Sequence, residues 1–175
     1  MREIRGRAFV FGDNVDTDQI YPGRFLELTE HREIAGHAME GVDPSFAGSV
    51  EPRDFVVAGS NFGCGSSREH AVITLKVAGV GAIVARSFAR IFYRNAVNQG
   101  LPVVEIPDLD PSDIEARGEV TVDLESGTLS HADREWRFNP LPASVLEIIE
   151  AGGVFQLYRR RADEGRRARA PSGLR

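Results

Sequence analysis

Cysteine, lysine and tryptophan occur once each in this 175-residue chain, as Cys64, Lys76 and Trp136. A lone cysteine excludes an internal disulfide framework and any self-sufficient multi-cysteine zinc or iron–sulfur site. Metal chemistry in which the chain takes part must therefore be brought by another chain. No run approaches the ~18–20 consecutive apolar residues of a membrane span. The opening Met1-Arg2-Glu3-Ile4-Arg5 lacks the apolar stretch of a secretory leader, so cytoplasmic residence is the expectation. A fold without disulfide, metal or membrane must come from burial, and 42% hydrophobic residues in one domain-sized chain suffice for a core. The net charge of −5 is unevenly spread. Residues 159–175 carry seven arginines against Asp163 and Glu164, a local +5, which leaves −10 on the other 158 residues. An acidic body with a basic tail is not the footprint of a nucleic-acid-binding domain.

Arg7 to Phe11 reads as a short strand, followed by a polar, acidic loop from Asp13 to Gly23. A helix is expected from Glu30 to Met39 with Thr29 as its N-cap. Phe55–Ala58, Ala82–Ala85 and Leu101–Ile106 are short apolar runs of the kind buried on both faces of a parallel sheet. Between them, Arg68 to Ala78 and Ser87 to Gln99 show helical spacing and end at Gly79 and Gly100. Strand, helix, strand, helix, strand makes a βαβαβ unit. Beyond Pro111, alternation at Val120, Val122 and Leu124 and again at Trp136 and Phe138 predicts antiparallel strands. Short helices follow at Val145 to Ala151 and Val154 to Arg161, and from Ala162 the loss of apolar periodicity predicts a disordered tail. The expected organisation is one domain over residues 1–161 with a basic tail over 162–175.

The segment with most chemistry is Gly63-Cys64-Gly65-Ser66-Ser67-Arg68-Glu69-His70, set between a buried strand and a helix. Unpaired N–H groups at a helix start favour anions. Two hydroxyls and a guanidinium add directed donors, and arginine can grip a carboxylate with two parallel hydrogen bonds. The turn suits an anionic oxygen ligand, although a plain strand-to-helix connection with a capping serine also accounts for it. A phosphate-binding Walker loop is excluded because the only lysine, Lys76, is mid-helix, and a dinucleotide fingerprint lacks its third glycine at Arg68. Cys64 could pair with His31, His37, His70 or His131 as a nucleophile, but a thiol between glycines is more often simply small. Arg86, Arg90 and Arg94 recur every four residues and read as a solvated or partner-facing stripe, with a direct ligand role as the alternative.

This turn, together with Ala85-Arg86-Ser87-Phe88-Ala89-Arg90-Ile91-Phe92-Tyr93-Arg94-Asn95 and Asp13-Asn14-Val15-Asp16-Thr17-Asp18-Gln19-Ile20, resembles the aconitase superfamily. More narrowly, it is similar to the small subunits of 3-isopropylmalate dehydratases and their homoaconitase-type relatives, over residues from Gly6 to about Tyr158. The resemblance implies an α/β fold, the aconitase-type swivelling β/β/α domain, with a parallel βαβαβ core and an antiparallel C-terminal portion. It implies a hydro-lyase of leucine biosynthesis that isomerises 2-isopropylmalate to 3-isopropylmalate. It also implies a large-subunit partner, in a heterodimer or heterotetramer, that carries a [4Fe–4S] cluster whose open iron acts as a Lewis acid on the departing hydroxyl. This chain itself is expected to bind no cofactor and no metal, and to have no nucleic-acid or membrane partner.

By family position, Ser66 is the catalytic base and Ser67 and Arg68 bind substrate carboxylate, while Asp18 is expected near the site, orienting Ser66. The stretch Arg24-Phe25-Leu26-Glu27-Leu28 falls where relatives vary with the substrate side chain. Phe25, Leu26 and Leu28 suit a branched alkyl group. Glu27 stands where an arginine accompanies homoaconitate, and would repel a third carboxylate. The alternatives are the same reaction on homoaconitate, citramalate or dimethylmalate, or a non-catalytic carboxylate-binding module. His70 is expected to be a structural helix residue, and Asp16-Thr17-Asp18 a capped loop rather than a metal site.

Overall fold

In the computed structural model, which describes residues 2–169, seven strands form one mixed sheet in the order β4-β3-β2-β1-β5-β6-β7. The chain runs β1 (Glu3–Val10), α1 (Thr17–Ile20), α2 (His31–Ala35), α3 (Phe46–Ser49), β2 (Phe55–Ala58), α4 (Glu69–Val77), β3 (Ala82–Ala85), α5 (Arg90–Gln99) and β4 (Val103–Glu105). It continues through β5 (Glu119–Asp123), β6 (Thr128–His131), β7 (Arg134–Arg137), α6 (Ala143–Ala151) and α7 (Val154–Arg169). The expected parallel unit is β2-α4-β3-α5-β4, with Phe55 beside Ala82 and Ile83 beside Val103. β1 joins the two halves. Ala8–Val10 pair parallel to β2, whereas Glu3–Arg7 pair antiparallel to β5.

Burial explains this order. Every residue of β2 and β3 is buried, and their side chains alternate between two cores. Val56, Ala58, Ile83 and Ala85 pack against Ala71, Val72 and Leu75 of α4 and Phe92 and Ala96 of α5. Phe55, Val57, Ala82 and Val84 face Val120, Val122, Leu129 and Leu146 from the C-terminal portion. β5, β6 and α6 thus share with β2 and β3 a second core, separate from the one under the two crossover helices.

Four local expectations change. β1 starts at Glu3 rather than Arg7, because its first residues are a half-exposed ribbon with polar Glu3 and Arg5 on the solvent face. α2 stops at Ala35 instead of reaching Met39, and Glu30 rather than Thr29 precedes it. The N–H groups of Met39 and Gly41 donate to Ile20 and Gln19 carbonyls of the α1 segment, so tertiary bonds replace the helical ones. The Asp13–Gly23 loop contains α1, closed by a capping box in which Asp16 Oδ1 accepts the Gln19 N–H and Gln19 Oε1 accepts the Asp16 N–H. Finally, α7 runs past Ala162 to Arg169, through residues read as disordered. Arginine, alanine and glutamate are strong helix formers, and the Arg160–Glu164 and Arg161–Glu147 pairs support that segment. Residues 170–175 of the tail lie outside the described residues. β6, a mostly polar strand with only Leu129 buried, gave no clear alternation in advance.

The single lysine has a structural use. Lys76 Nζ donates to the Gln99 carbonyl at 2.5 Å and the Gly152 carbonyl at 2.6 Å, at the C-terminal ends of α5 and α6. A cation suits two negative helix ends, although burial lowers its pKa. Lys76→Met should keep the packing but leave both carbonyls unpaired. We expect a loss of about 2 kcal/mol, read as a lower urea midpoint at unchanged m-value.

Candidate active site

Two loops lock together at the carboxyl ends of β1 and β2. Thr17 N–H donates to the Cys64 carbonyl at 2.8 Å, Gly63 N–H to the Val15 carbonyl at 2.8 Å, and Thr17 Oγ1 to the Ser66 carbonyl at 2.9 Å. Gly63, at φ +80°, is required here: a Cβ on it would sit 2.2 Å from the Phe92 ring. Gly63 therefore serves close packing of the turn on α5, whereas Gly65, at φ +93°, faces Asp16 and Thr17. Cys64 lies half-buried between the two glycines, with its carbonyl engaged by Thr17. No group of three or more His, Cys, Asp or Glu side chains gathers among the described residues. This donor set does not fit an iron–sulfur cluster.

Ser66 and Ser67 emerge exposed at the start of α4. Their hydroxyls, and the N–H groups of Ser66, Ser67, Glu69 and His70, have no partner among the described residues. The expected capping serine is therefore absent; Arg68 occupies the N-cap position without a side-chain cap. Arg68 is instead aimed by its neighbours. Its Nη1 donates to Asp18 Oδ1 at 2.8 Å and to the Tyr21 carbonyl at 3.4 Å. The same Asp18 oxygen accepts the Gly23 N–H at 2.9 Å. These hydrogen bonds, first that from Arg68, hold the Asp18 carboxyl below the usual range. Asp18 thus orients Arg68 rather than Ser66, whose carbonyl is held by Thr17.

A cleft of about 470 Å³ opens in front of this turn, lined by Ser66, Ser67 and Arg68 on one wall and by Arg90, Ile91, Arg94 and Asn95 of α5 on the other. Arg94 and Arg90 belong to the stripe noted in the sequence, whereas Arg86 turns away and donates to the Pro107 carbonyl. Ile91 had only its helical spacing to mark it, which suggests a core position; it is 51% exposed. Its row on α5 is shared with Asn95, and spacing alone does not reveal that a second chain segment faces that row.

The stretch from Arg24 to Leu28 is not part of this cleft. Arg24 Nη2 donates to Glu40 Oε1 at 2.5 Å, and its guanidinium lies over the Phe25 ring. Phe25 also stacks on His37, with ring centroids 3.5 Å apart. Leu26 and Glu27 are exposed, and Leu28 is half-buried behind them. Hydrogen bonds from His37 and Arg24 keep the Glu40 carboxyl below its ordinary value. The stretch adjoins the site through Gly23, which faces the Arg68 guanidinium, and through Tyr21, whose hydroxyl donates to the Phe25 carbonyl at 2.7 Å and whose carbonyl accepts from Arg68. His70 stacks on Tyr21, His37 is engaged with Phe25 and Glu40, and His131 bonds the backbone of Glu115 and Glu119. None of these three is arranged as a base for Cys64.

The family model of the aconitase C-terminal domain matches residues 7–109, which span the sheet core and every wall of this cleft. The chain belongs to the aconitase C-terminal domain family. It is 52% identical to the 3-isopropylmalate dehydratase small subunit 1 of Methanopyrus kandleri, over 94% of this chain and 96% of that one. It is also 52% identical to the methanogen homoaconitase small subunit of Methanothermobacter thermautotrophicus, over 93% and 94%. The crystal structure of a 3-isopropylmalate dehydratase from Methanocaldococcus jannaschii superposes with a TM-score of 0.87 at 40% identity, covering 95% of this chain and 99% of that chain. In this aconitase C-terminal domain, the Ser66-Ser67-Arg68 turn sits where β2 delivers it to the cleft floor.

Proposed function

We propose that the chain is the small subunit of a 3-isopropylmalate dehydratase, acting in leucine biosynthesis with a separate large subunit that supplies the metal cluster. The observation that carries this reading is the cleft itself. It gathers two unpartnered serine hydroxyls, free backbone N–H groups and three guanidinium groups, with no carboxylate, imidazole or amine among its lining side chains. Such a set binds carboxylates and stabilises negative charge as it develops.

Ser66 Oγ, as the alkoxide, takes the proton from the carbon beside a substrate carboxylate. The electron pair left behind spreads onto that carboxylate, which Ser67, Arg68 and the N–H groups at the start of α4 hold. As the double bond forms the hydroxyl must depart, and its departure needs an acid. The lining side chains of this chain offer only donors too weakly acidic for that task, so the proposal assigns it to the partner. Rehydration at the neighbouring carbon reverses the same steps. Serine is a base here only because the surrounding cations stabilise its alkoxide.

A second reading, homoaconitate as substrate, draws on the equal identity to the homoaconitase small subunit. It needs a cation for a third carboxylate. In the stretch where the resemblance places that cation, Glu27 supplies none and Arg24 pairs with Glu40. Co-expression with candidate cluster-bearing large subunits, followed by anaerobic hydration assays on alkyl- and carboxyalkyl-maleates, separates the two. A preference for isopropylmaleate supports the first reading, and inactivity with every partner overturns both.

Within this scheme, Arg68→Lys should lower kcat/KM by roughly 10–100-fold, mostly through KM. It loses the two-pronged grip and the Asp18 alignment together. Steady-state kinetics of the complex measure this, with kcat/KM within threefold of wild type as the contrary result.

A further inference from the structure

Arg90 and Arg94 form no ion pair or hydrogen bond among the described residues, although this is an acidic chain in which most other cleft-independent arginines on the sheet find carboxylates. They are one helical turn apart on α5, with Cβ atoms expected about 5–6 Å from each other. Ile91 and Asn95 form the adjoining row, and all four line the cleft that Ser66 and Arg68 share. The first three N–H groups of α5, on Arg90, Ile91 and Phe92, likewise lack an acceptor, because Ala89 at the N-cap has no side chain to cap them. The two arginines also form the ridge to a second cleft of about 510 Å³. That side carries the Glu105 carboxylate, so an anion is favoured only on the side of Ser66.

A single carboxylate is already provided for by Ser67, Arg68 and the start of α4. Two more unpaired guanidinium groups on the opposite wall have no use for a monocarboxylate. We propose that α5 supplies a second carboxylate subsite, in which Arg90 and Arg94 grip the carboxylate that Arg68 does not hold, while Ile91 faces the alkyl substituent. The proposal rests on the dehydratase reading of the same cleft and deepens it. It adds α5 to the Phe25–Leu28 stretch as an element that meets the substrate.

The test uses the complex reconstituted with its large subunit. Arg90→Gln and Arg94→Gln concern exposed side chains with no partner to lose, so the fold should be kept. The double variant should raise KM for 2-isopropylmalate about tenfold or more while kcat falls far less. Calorimetric binding of 2-isopropylmalate to a complex carrying Ser66→Ala, with and without the double substitution, reads the subsite without turnover. About tenfold weaker binding in the double background supports the proposal, and equal binding overturns it. Weaker subunit assembly with unchanged KM also overturns it, making the ridge a docking surface for the partner. Full turnover by Ser66→Ala alone would instead defeat the dehydratase reading. Ile91→Ala should weaken binding of 2-isopropylmalate but not of malate, which lacks the alkyl group; equal weakening of both would remove Ile91 from the subsite.

Discussion

Ser66→Ala is expected to lower kcat of the reconstituted complex by ~10²–10⁴-fold, the range associated with loss of a general base, with KM nearly unchanged. The Oγ atom has no hydrogen-bond partner among the described residues and stands exposed in the cleft, so its removal breaks nothing structural. The backbone of the residue is what the fold uses: its carbonyl accepts from Thr17 Oγ1 and from the Arg68 N–H. Alanine preserves both bonds, and thermal stability should stay within about 0.5 kcal/mol of wild type. The loss must then be chemical. Ser66→Cys offers a check on the role, since a thiol ionises near pH 8.5 in its unperturbed state and the three guanidinium groups favour the anion. Partial activity that appears with thiolate formation fits a base at this position. A kcat within threefold of wild type for the alanine variant would remove Ser66 from catalysis.

The largest effect on stability is expected at Asp54, which sits immediately before β2 and is only 3% exposed. Oδ1 accepts the Arg7 N–H at 2.9 Å and Nε at 3.3 Å. Oδ2 accepts Arg7 Nη2 at 2.6 Å and the Glu51 N–H at 2.9 Å. One carboxylate thus ties β1 to the turn that launches β2. Asp54→Ala leaves two backbone donors unsatisfied and takes the buried counter-ion from the Arg7 guanidinium, which keeps only the Ser49 carbonyl at 3.1 Å and Glu51 at 3.5 Å. Removing one partner of a buried pair costs about 3–5 kcal/mol, and the partial exposure of Arg7 places this case near 3 kcal/mol. For a chain of this size that lowers Tm by roughly 6–12 °C, measurable by thermal unfolding.

The same group sets an acid limit. Burial raises the Asp54 pKa, but the bonds from Arg7 and from the two N–H groups, with the Arg7 charge, outweigh it and leave the carboxyl below its ordinary value. A carboxyl depressed in the folded state binds protons more readily when unfolded. Its contribution is therefore complete above the unfolded pKa of about 3.9 and lost as pH falls through the folded value. Urea midpoints of the wild type should fall below about pH 4, and Asp54→Asn should flatten that part of the profile. An unchanged acid limb in the variant would mean that other carboxylates control it.

The parts of the site that were readable in advance are contiguous in sequence. Gly63 to His70 announces a strand-to-helix turn with anion donors, and Ser66, Ser67 and Arg68 do meet in one cleft. The parts that were not readable are those assembled across the chain. Asp18 has a polar loop around it and no local sign of which side chain it serves; only the closure of that loop on α4 brings it to Arg68. The resemblance sets the Phe25–Leu28 stretch against the substrate side chain, yet Glu40 and His37, from the segment after α2, engage Arg24 and Phe25 outside the cleft. Ile91 is the reverse case, since an apolar residue at helical spacing carries no local sign that a second wall faces it.

The sequence by itself determined the elements whose signal is local: buried apolar runs for β2, β3 and β4, glycine-terminated helices between them, and a lone cysteine, too few for a multi-cysteine cluster held by this chain alone. Periodicity and turn chemistry act over a few residues, so they survive without the fold. Only the tertiary structure decided that β1 divides its two halves between parallel and antiparallel neighbours, and that α2 yields its N–H groups to α1. It also decided that α5 turns two unpaired arginines toward Ser66. Each of these depends on hydrogen bonds or charges supplied by residues far away in the chain, and a pairwise preference has no meaning until the partner is in place.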